Sequence, residues 1–132
     1  MTHLLDTNAC VEVLRGNKKV SKHLAGFSPD DIAVSVITVY ELQAGAEKCS
    51  NPARESAKIS TFLEPLHVLP YGCDSAAAAA KIRAVLESRG LVIGAYDLLL
   101  AGHAFALDLT LVTRNQREFQ RVDGLRLENW ED

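Results

Sequence analysis

The sequence lacks a paired-cysteine pattern and any hydrophobic run of membrane-spanning length. Its three cysteines, Cys10, Cys49 and Cys73, are odd in number and lack the spacing of a zinc site. The longest apolar stretch, residues 98–107, is too short to cross a bilayer and predicts a buried helix. The start of the chain, interrupted at Asp6, does not resemble a secretory leader. We therefore expect a cytoplasmic protein in a reducing compartment, with no membrane partner.

The sequence also lacks an excess of positive charge and the common catalytic motifs. Its net charge is −3 and its pI about 5.8, so its overall field does not attract nucleic acid. The four histidines have no paired spacing, which argues against zinc. No glycine-rich phosphate loop, G-x-S-x-G elbow or Cys–His nucleophile signature is present. A nucleic-acid substrate would therefore need local basic clusters and a metal ion.

What the sequence does contain is apolar residues throughout its length. They make up 48% of 132 residues, which predicts a single folded domain over residues 1–132. Strand patterns alternate with helix patterns, and this order predicts an α/β fold with a parallel sheet covered on both faces. The predicted strands are residues 2–5, 32–35, 66–69, 109–113 and 125–128. The predicted helices are residues 9–15, 18–27, 36–45, 74–89 and 95–107, with one more starting at Pro52 after an Asn51 cap. Residues 6–8 are predicted to form a turn. The helix at 74–89 is predicted to end at Gly90 and to direct Val85 inward.

Four acidic residues each follow an apolar, strand-like run, near the point where a helix should begin. In an open α/β sheet these ends of the strands line one crevice, where ligands bind. Carboxylates gathered there repel one another, and an oxygen-only set of this kind suits Mg²⁺ or Mn²⁺. The pattern indicates a metal-dependent enzyme, with phosphodiester hydrolysis as the first candidate. The four residues are Asp6 after residues 3–5, Glu41 beyond 32–34, Asp97 after 91–93, and Glu118 beyond 109–112.

Neighbouring polar residues add to this candidate site. Small side chains able to orient carboxylates or water occur beside the acidic positions. They are Thr7, Asn8, Ser35, Thr113 and Asn115. A basic run of Arg114, Arg117 and Arg121 surrounds Glu118, and it either contacts phosphate or forms a solvated helix face.

Each acidic residue taken singly has a structural explanation. Asp6 could cap the helix after it, and Asp97 could favour the positive end of a helix dipole. Glu41 and Glu118 each lie three residues after a possible cap, Thr38 and Asn115 respectively. Taken together the balance favours a functional site, because the helix that Asp97 opens has no charged residue up to position 107.

Four segments of the chain carry a resemblance to a known family. Their order and spacing, nearly end to end, resemble the PIN-domain ribonucleases and specifically the VapC-type toxins of bacterial toxin–antitoxin pairs. The segments are Leu4-Leu5-Asp6-Thr7-Asn8; Ser35 to Leu42 with Gly45; Ile93 to Asp97 with Ala101 and Ala104; and Leu111 to Asn115 with Glu118-Phe119 and Glu128-Asn129-Trp130.

The resemblance implies a PIN fold with a central parallel sheet of about five strands. It implies a divalent metal held by Asp6, Glu41 and Asp97, with Glu118 in the fourth acidic role and Asn115 as the alternative. It also implies an RNA substrate, a cognate antitoxin that masks the pocket, and a homodimer or higher toxin–antitoxin assembly. Initiator tRNA, other tRNAs and ribosomal RNA all stay open as substrates.

Two other functions compete with a ribonuclease. The first is a catalytically silent PIN-like module that binds only a cation or a basic peptide. The second is a phosphatase that forms an aspartyl-phosphate, but that chemistry needs a second Asp two residues after the nucleophile, and residue 8 is Asn.

Overall fold

Five short parallel strands form one sheet at the centre of the protein. The computed structural model describes residues 1–132 and has the strands β1 (His3–Leu5), β2 (Ile32–Ser35), β3 (His67–Leu69), β4 (Thr110–Val112) and β5 (Leu127–Glu128). Their order across the sheet is β3-β2-β1-β4-β5, and every neighbouring pair is parallel. The α/β class and the number of strands are as predicted. Strands β2 and β3 lie on one side of β1, and β4 and β5 lie on the other. The connections therefore change direction beside β1, so its carboxyl end lies at the topological switch point.

Seven α-helices surround the sheet. They are α1 (Thr7–Leu14), α2 (Lys18–Ala25), α3 (Val36–Glu47), α4 (Pro52–Leu63), α5 (Cys73–Ser88), α6 (Ala95–Ala106) and α7 (Gln116–Phe119). A short 3-10 helix occupies Pro29–Asp31. The predicted cap of α4 is confirmed, because the Asn51 side chain accepts a hydrogen bond from the Arg54 amide. No helix combines the length and apolar character that crossing a membrane requires.

Two hydrophobic cores lie on opposite faces of the sheet. On β1, Leu5 packs into the core formed with α1 to α4, whereas Leu4 packs into the core formed with α5 and α6. On β2, Val34 and Ala33 divide in the same way. This alternation follows from the pleat of a strand, and burial on both faces explains why the strands read as continuous apolar runs.

Helices α5 and α6 approach each other unusually closely. A Cβ built on Gly102 would lie 2.6 Å from the Cβ of Ala79, which is shorter than any real contact allows. The alanine run of α5 and the glycine of α6 therefore permit a backbone-to-backbone approach that larger side chains would prevent. Val85 was predicted to face inward on α5, but its side chain is exposed. The prediction is wrong because the buried face of α5 contains Ala79 and Leu86, two helical turns apart, and Val85 lies outside that row.

Two local predictions near the sheet edge are also wrong. The predicted turn at residues 6–8 is absent, because α1 already begins at Thr7 and Asp6 is its N-cap. The strand-like run at residues 91–93 forms no strand. It connects two helices that pack against each other, and Ile93 is buried in their core while Val92 is exposed.

The predicted burial of residues 98–107 holds for Leu100 to Ala104 but fails for the end of that stretch, where Phe105 and Leu107 are exposed.

Candidate active site

Asp6 lies at the carboxyl end of β1 and is almost fully buried. Its Oδ1 accepts a hydrogen bond of 2.7 Å from the Ala9 amide, so the capping explanation for this residue is correct as far as it goes. The pKa of the Asp6 carboxyl is raised to about 6, mainly by burial and also by the charges of Asp97 and Glu131. Hydrogen bonding from Thr113 and Ala9 opposes that rise. A simple cap needs no neighbouring carboxylates, so the like charges around Asp6 require another explanation.

Glu41 lies on α3 and is held by a residue of α1. Thr7 Oγ1 donates a hydrogen bond of 2.7 Å to Glu41 Oε1, and Thr38 Oγ1 lies 3.1 Å from the same hydroxyl. Helix α3 is capped by Ser35, whose Oγ accepts from the Ile37 amide. The capping-box explanation for Glu41 is therefore wrong, because Thr38 is already inside the helix. Glu41 instead bonds to Thr7 and lies close enough to Asp97 for its charge to raise the pKa of that carboxyl.

Asp97 lies in the first turn of α6 and is partly buried. The pKa of its carboxyl is raised, first by burial and then by the charges of Glu118 and Glu41. Its Oδ2 would lie 3.7 Å from a Cβ built on Gly94, so the carboxylate lies over the start of its own helix. That position is favourable for a negative charge. Asp97 therefore lies within electrostatic reach of carboxylates on two other helices, α3 and α7.

Glu118 lies on α7 and is positioned by Asn115. The Asn115 side chain donates a hydrogen bond of 3.1 Å from Nδ2 to Glu118 Oε2, and its backbone amide donates to Thr113 Oγ1 over 2.9 Å. The capping-box explanation for Glu118 is wrong, because the backbone amide it would need is already bonded to Thr113. Thr113 in turn faces Asp6, so the loop after β4 connects Glu118 to the carboxyl end of β1.

The other predicted site residues are distributed more widely. The Ser35 hydroxyl lies 2.9 Å from His103 Nδ1 and caps α3, and neither contact involves a carboxylate. Asn8 lies in the first turn of α1 and is partly buried. Arg114 forms an ion pair of 3.7 Å with Glu131, and Arg117 is exposed beside Glu118. Arg121 donates to the Val92 carbonyl over 3.1 Å, which directs it toward the α5–α6 connection.

Sequence reasoning missed one further carboxylate, Glu131. Its charge raises the pKa of Asp6, and only 17% of its side chain is exposed. The end of the chain is fixed by Glu128, which accepts hydrogen bonds from His3 Nε2 over 2.9 Å and from Trp130 Nε1 over 3.1 Å. The rule that found the other carboxylates would have found this one, because Glu131 also follows a strand that ends at the same edge.

The carboxylates at this edge fit a loosely held cation better than a closed cage. No three Asp, Glu, His or Cys side chains converge closely enough to enclose a metal ion. They do approach closely enough to raise the pKa of Asp6 and of Asp97, and all their donor atoms are oxygens. Mg²⁺ is usually bound by one or two carboxylates, with water and substrate phosphate completing its shell. The donor set is therefore compatible with such an ion.

The protein is an α/β protein with a parallel five-stranded sheet and acidic residues at the carboxyl ends of its strands. The sequence profile of the PIN domain matches residues 3–125, and the chain belongs to the PIN-domain family. PIN-domain nucleases are generally dependent on a divalent metal ion.

Within that family the chain is similar to VapC ribonucleases. It is 37% identical over 127 residues to the tRNA(fMet)-specific endonuclease VapC of Salmonella typhimurium, covering 96% of both chains. It is 40% identical over 132 residues to Ribonuclease VapC2 of Haemophilus influenzae, covering 98% of both. Among solved structures it is similar to the toxin in DNA-bound VapBC from Salmonella typhimurium, with a TM-score of 0.94 and 36% identity, covering 98% of both chains.

Proposed function

We propose that this protein is an endoribonuclease toxin that hydrolyses RNA phosphodiester bonds with the help of a divalent cation and is neutralised by a cognate antitoxin. The observation that carries the proposal is the electrostatic coupling of Asp6, Asp97 and Glu118 at the switch point of a PIN-domain sheet. The relatives named above are ribonucleases, and one of them is specific for tRNA(fMet). Initiator tRNA is therefore the first substrate to test.

In this proposal Asp6, Glu41 and Asp97 hold the cation, with Mg²⁺ preferred and Mn²⁺ as its substitute. When bound, the cation polarises the phosphoryl group and lowers the pKa of the attacking water. The protein's contribution is to hold the carboxylates in place. The Ala9 amide fixes Asp6, and the Thr7 hydroxyl fixes Glu41.

The remaining polar residues have supporting roles. Glu118 is the fourth carboxylate, and Asn115 keeps it pointing into the pocket. Thr113 orients Asp6 and the loop that carries Asn115. Asn8 is proposed to position water, while Ser35 acts indirectly by capping the helix that carries Glu41.

Substrate phosphates would contact Arg117 and Arg114 at the rim of the pocket. Arg117 is exposed next to Glu118, and Arg114 is held by Glu131. These two arginines offset part of the negative charge that would otherwise repel RNA from an acidic protein.

We further propose that the chain forms one domain over residues 1–132, assembles as a homodimer, binds its antitoxin in a larger complex, and acts in the cytoplasm. The support for an antitoxin is the set of similar solved structures, in which VapC proteins occur with VapB. The three free cysteines suit a reducing compartment.

The test is cleavage of purified initiator tRNA by the purified protein with Mg²⁺, with Mn²⁺ or with excess EDTA. We expect cleavage with either metal and none in EDTA. Full activity in EDTA would contradict the metal mechanism. If no RNA is cleaved although Mg²⁺ raises the melting temperature, the protein is instead the silent cation-binding module.

A further inference from the structure

Two exposed tyrosines lie beside the carboxylates of the candidate active site. Tyr40 on α3 immediately precedes Glu41, and Tyr96 on α6 immediately precedes Asp97. Their side chains are 56% and 44% exposed. The chain has only eight aromatic residues of the Phe, Trp and Tyr types, so two large rings left in water beside the candidate active site are unusual.

The two rings form a defined pair across two helices. Tyr96 donates a hydrogen bond of 3.2 Å from its hydroxyl to that of Tyr40. The ring centroids are 5.6 Å apart and the ring planes are tilted by 58°. Val36 lies one turn before Tyr40 on α3 and is also exposed, so it extends the same apolar surface. The pair is therefore an ordered platform that a planar ligand can contact.

We propose that Tyr40 and Tyr96 form a stacking platform for an unpaired nucleobase of the RNA next to the bond that is cleaved. This inference rests on the proposed ribonuclease function, because the adjacent carboxylates would hold the cation that binds the phosphodiester. Aromatic side chains are the usual partners of single-stranded bases, since every base has a flat face. On an acidic protein, stacking supplies affinity that the overall charge does not.

Placing a base on this platform would also position the backbone. A nucleotide stacked on rings that directly precede Glu41 and Asp97 has its phosphate held close to those carboxylates. The platform would therefore select RNA in which a base is splayed out, and would exclude a paired duplex from the pocket. Tyr40 and Tyr96 are in this sense positioning residues for the substrate.

The test compares Tyr40→Ala, Tyr96→Ala and both Tyr→Phe variants with a matched control, Phe105→Ala. Phe105 lies on the same helix as Tyr96 and is 48% exposed, but it lines a groove with α5 instead of the pocket. Binding of a fluorescent octamer of uridine is measured in EDTA, alongside an octamer of the same length with abasic residues. Oligomeric state is measured by analytical ultracentrifugation, and cleavage of initiator tRNA is measured with Mg²⁺.

We expect each Tyr→Ala variant to bind the intact octamer about tenfold more weakly while its affinity for the abasic octamer is unchanged. The Tyr→Phe variants, which keep the ring, and Phe105→Ala should bind both octamers like the parent. If the Tyr→Ala variants bind the intact octamer normally while the parent cleaves RNA, the stacking inference alone is wrong. Equal weakening for both octamers, with dissociation of a dimer, would show that the pair is a contact between two copies. A parent that neither binds nor cleaves RNA would overturn the proposed function as well.

Discussion

The α5–α6 interface and the carboxyl edge of the sheet have opposite effects on the stability of the fold. At the interface, Gly102 and Ala79 bring two backbones together, and no charged residue of either helix is buried there. At the edge, carboxylates from separate elements are held near one another, and the pKa values of Asp6 and Asp97 are raised, first by burial and then by the neighbouring charges. The first region gains stability from its contacts. The second loses stability in the absence of a cation, because it buries and concentrates like charges.

This difference explains how a small protein can tolerate a cluster of mutually repelling carboxylates. The strands that end just before Asp6 and Thr113 are buried on both faces by two cores, and these cores supply the stability that the charged edge lacks. The hydrogen bonds at the edge orient the carboxylates and do not neutralise them. Substitutions in the two regions should therefore have separable consequences, one for activity and one for folding.

The largest expected effect is that of Asp97→Asn on RNA cleavage. The amide is nearly isosteric but carries no charge, so we expect a loss of about a hundredfold or more in the cleavage rate at saturating Mg²⁺. The circular dichroism spectrum should be unchanged, because no core contact is removed. Glu118→Gln should cost less, since its partner Asn115 can rotate to bond the new amide. Normal turnover by purified Asp97→Asn would remove this residue from the active site.

A smaller effect is expected for Gly102→Ala on the free energy of unfolding. The new methyl group would overlap Ala79, and such overpacking lowers the free energy of unfolding by about 1–3 kcal/mol. The loss should be the same in EDTA and in Mg²⁺, because the interface does not include the candidate metal ligands. Urea denaturation monitored by circular dichroism measures it.

The matched control for that measurement is Gly45→Ala, which has the smallest expected effect. Gly45 lies inside α3, and a Cβ built there meets nothing within 4 Å. The substitution should stabilise the protein by about 0.5–1 kcal/mol through helix propensity alone. If Gly102→Ala behaves like Gly45→Ala, the close approach of α5 and α6 is not a constraint on the sequence.

Patterns with a strong local cause could be predicted from the sequence. The Asn51-Pro52 start of α4, the end of α5 at Gly90 and the strands that precede Asp6 and Ser35 all follow from capping chemistry or continuous apolar runs. The run at residues 91–93 could not be assigned in this way. Three apolar residues look the same whether they pair in a sheet or fill a core between helices, and only the packing of α5 on α6 decides between them.

For the candidate site, the acidic residues could be predicted from the sequence, but the contacts that orient them could not. The search for acidic residues after apolar, strand-like runs selected these carboxylates, although the run before Asp97 is not a strand. It could not show which polar residue orients which carboxylate. Thr7 orients Glu41 because α1 and α3 are neighbours, and Glu131 lies near Asp6 because the Glu128 network fixes the end of the chain. Both relations depend on tertiary contacts between residues far apart in sequence. The exposure of Tyr40 and Tyr96 is likewise a property of the folded surface.

We predict that the carboxylates at the edge destabilise the fold in the absence of a cation and that a bound cation removes this cost. In the folded protein, the pKa of Asp6 is raised from 3.8 to about 6. A raised carboxyl pKa means that ionisation destabilises the fold. The penalty is absent below the unfolded value, grows as pH rises from 3.8 through about 6, and is then complete at about 3 kcal/mol. Asp6→Asn cannot ionise, and Asn is as good an N-cap as Asp.

The most direct measurement is therefore thermal melting of the parent and Asp6→Asn as a function of pH, in EDTA and in excess Mg²⁺. In EDTA we expect the two proteins to melt alike in acid and the variant to melt at a higher temperature at neutral pH. In Mg²⁺ at neutral pH the order should reverse, because only the parent gains stability by binding the cation. A variant that melts below the parent by the same amount in EDTA and in Mg²⁺ would contradict the account and leave Asp6 as a structural cap.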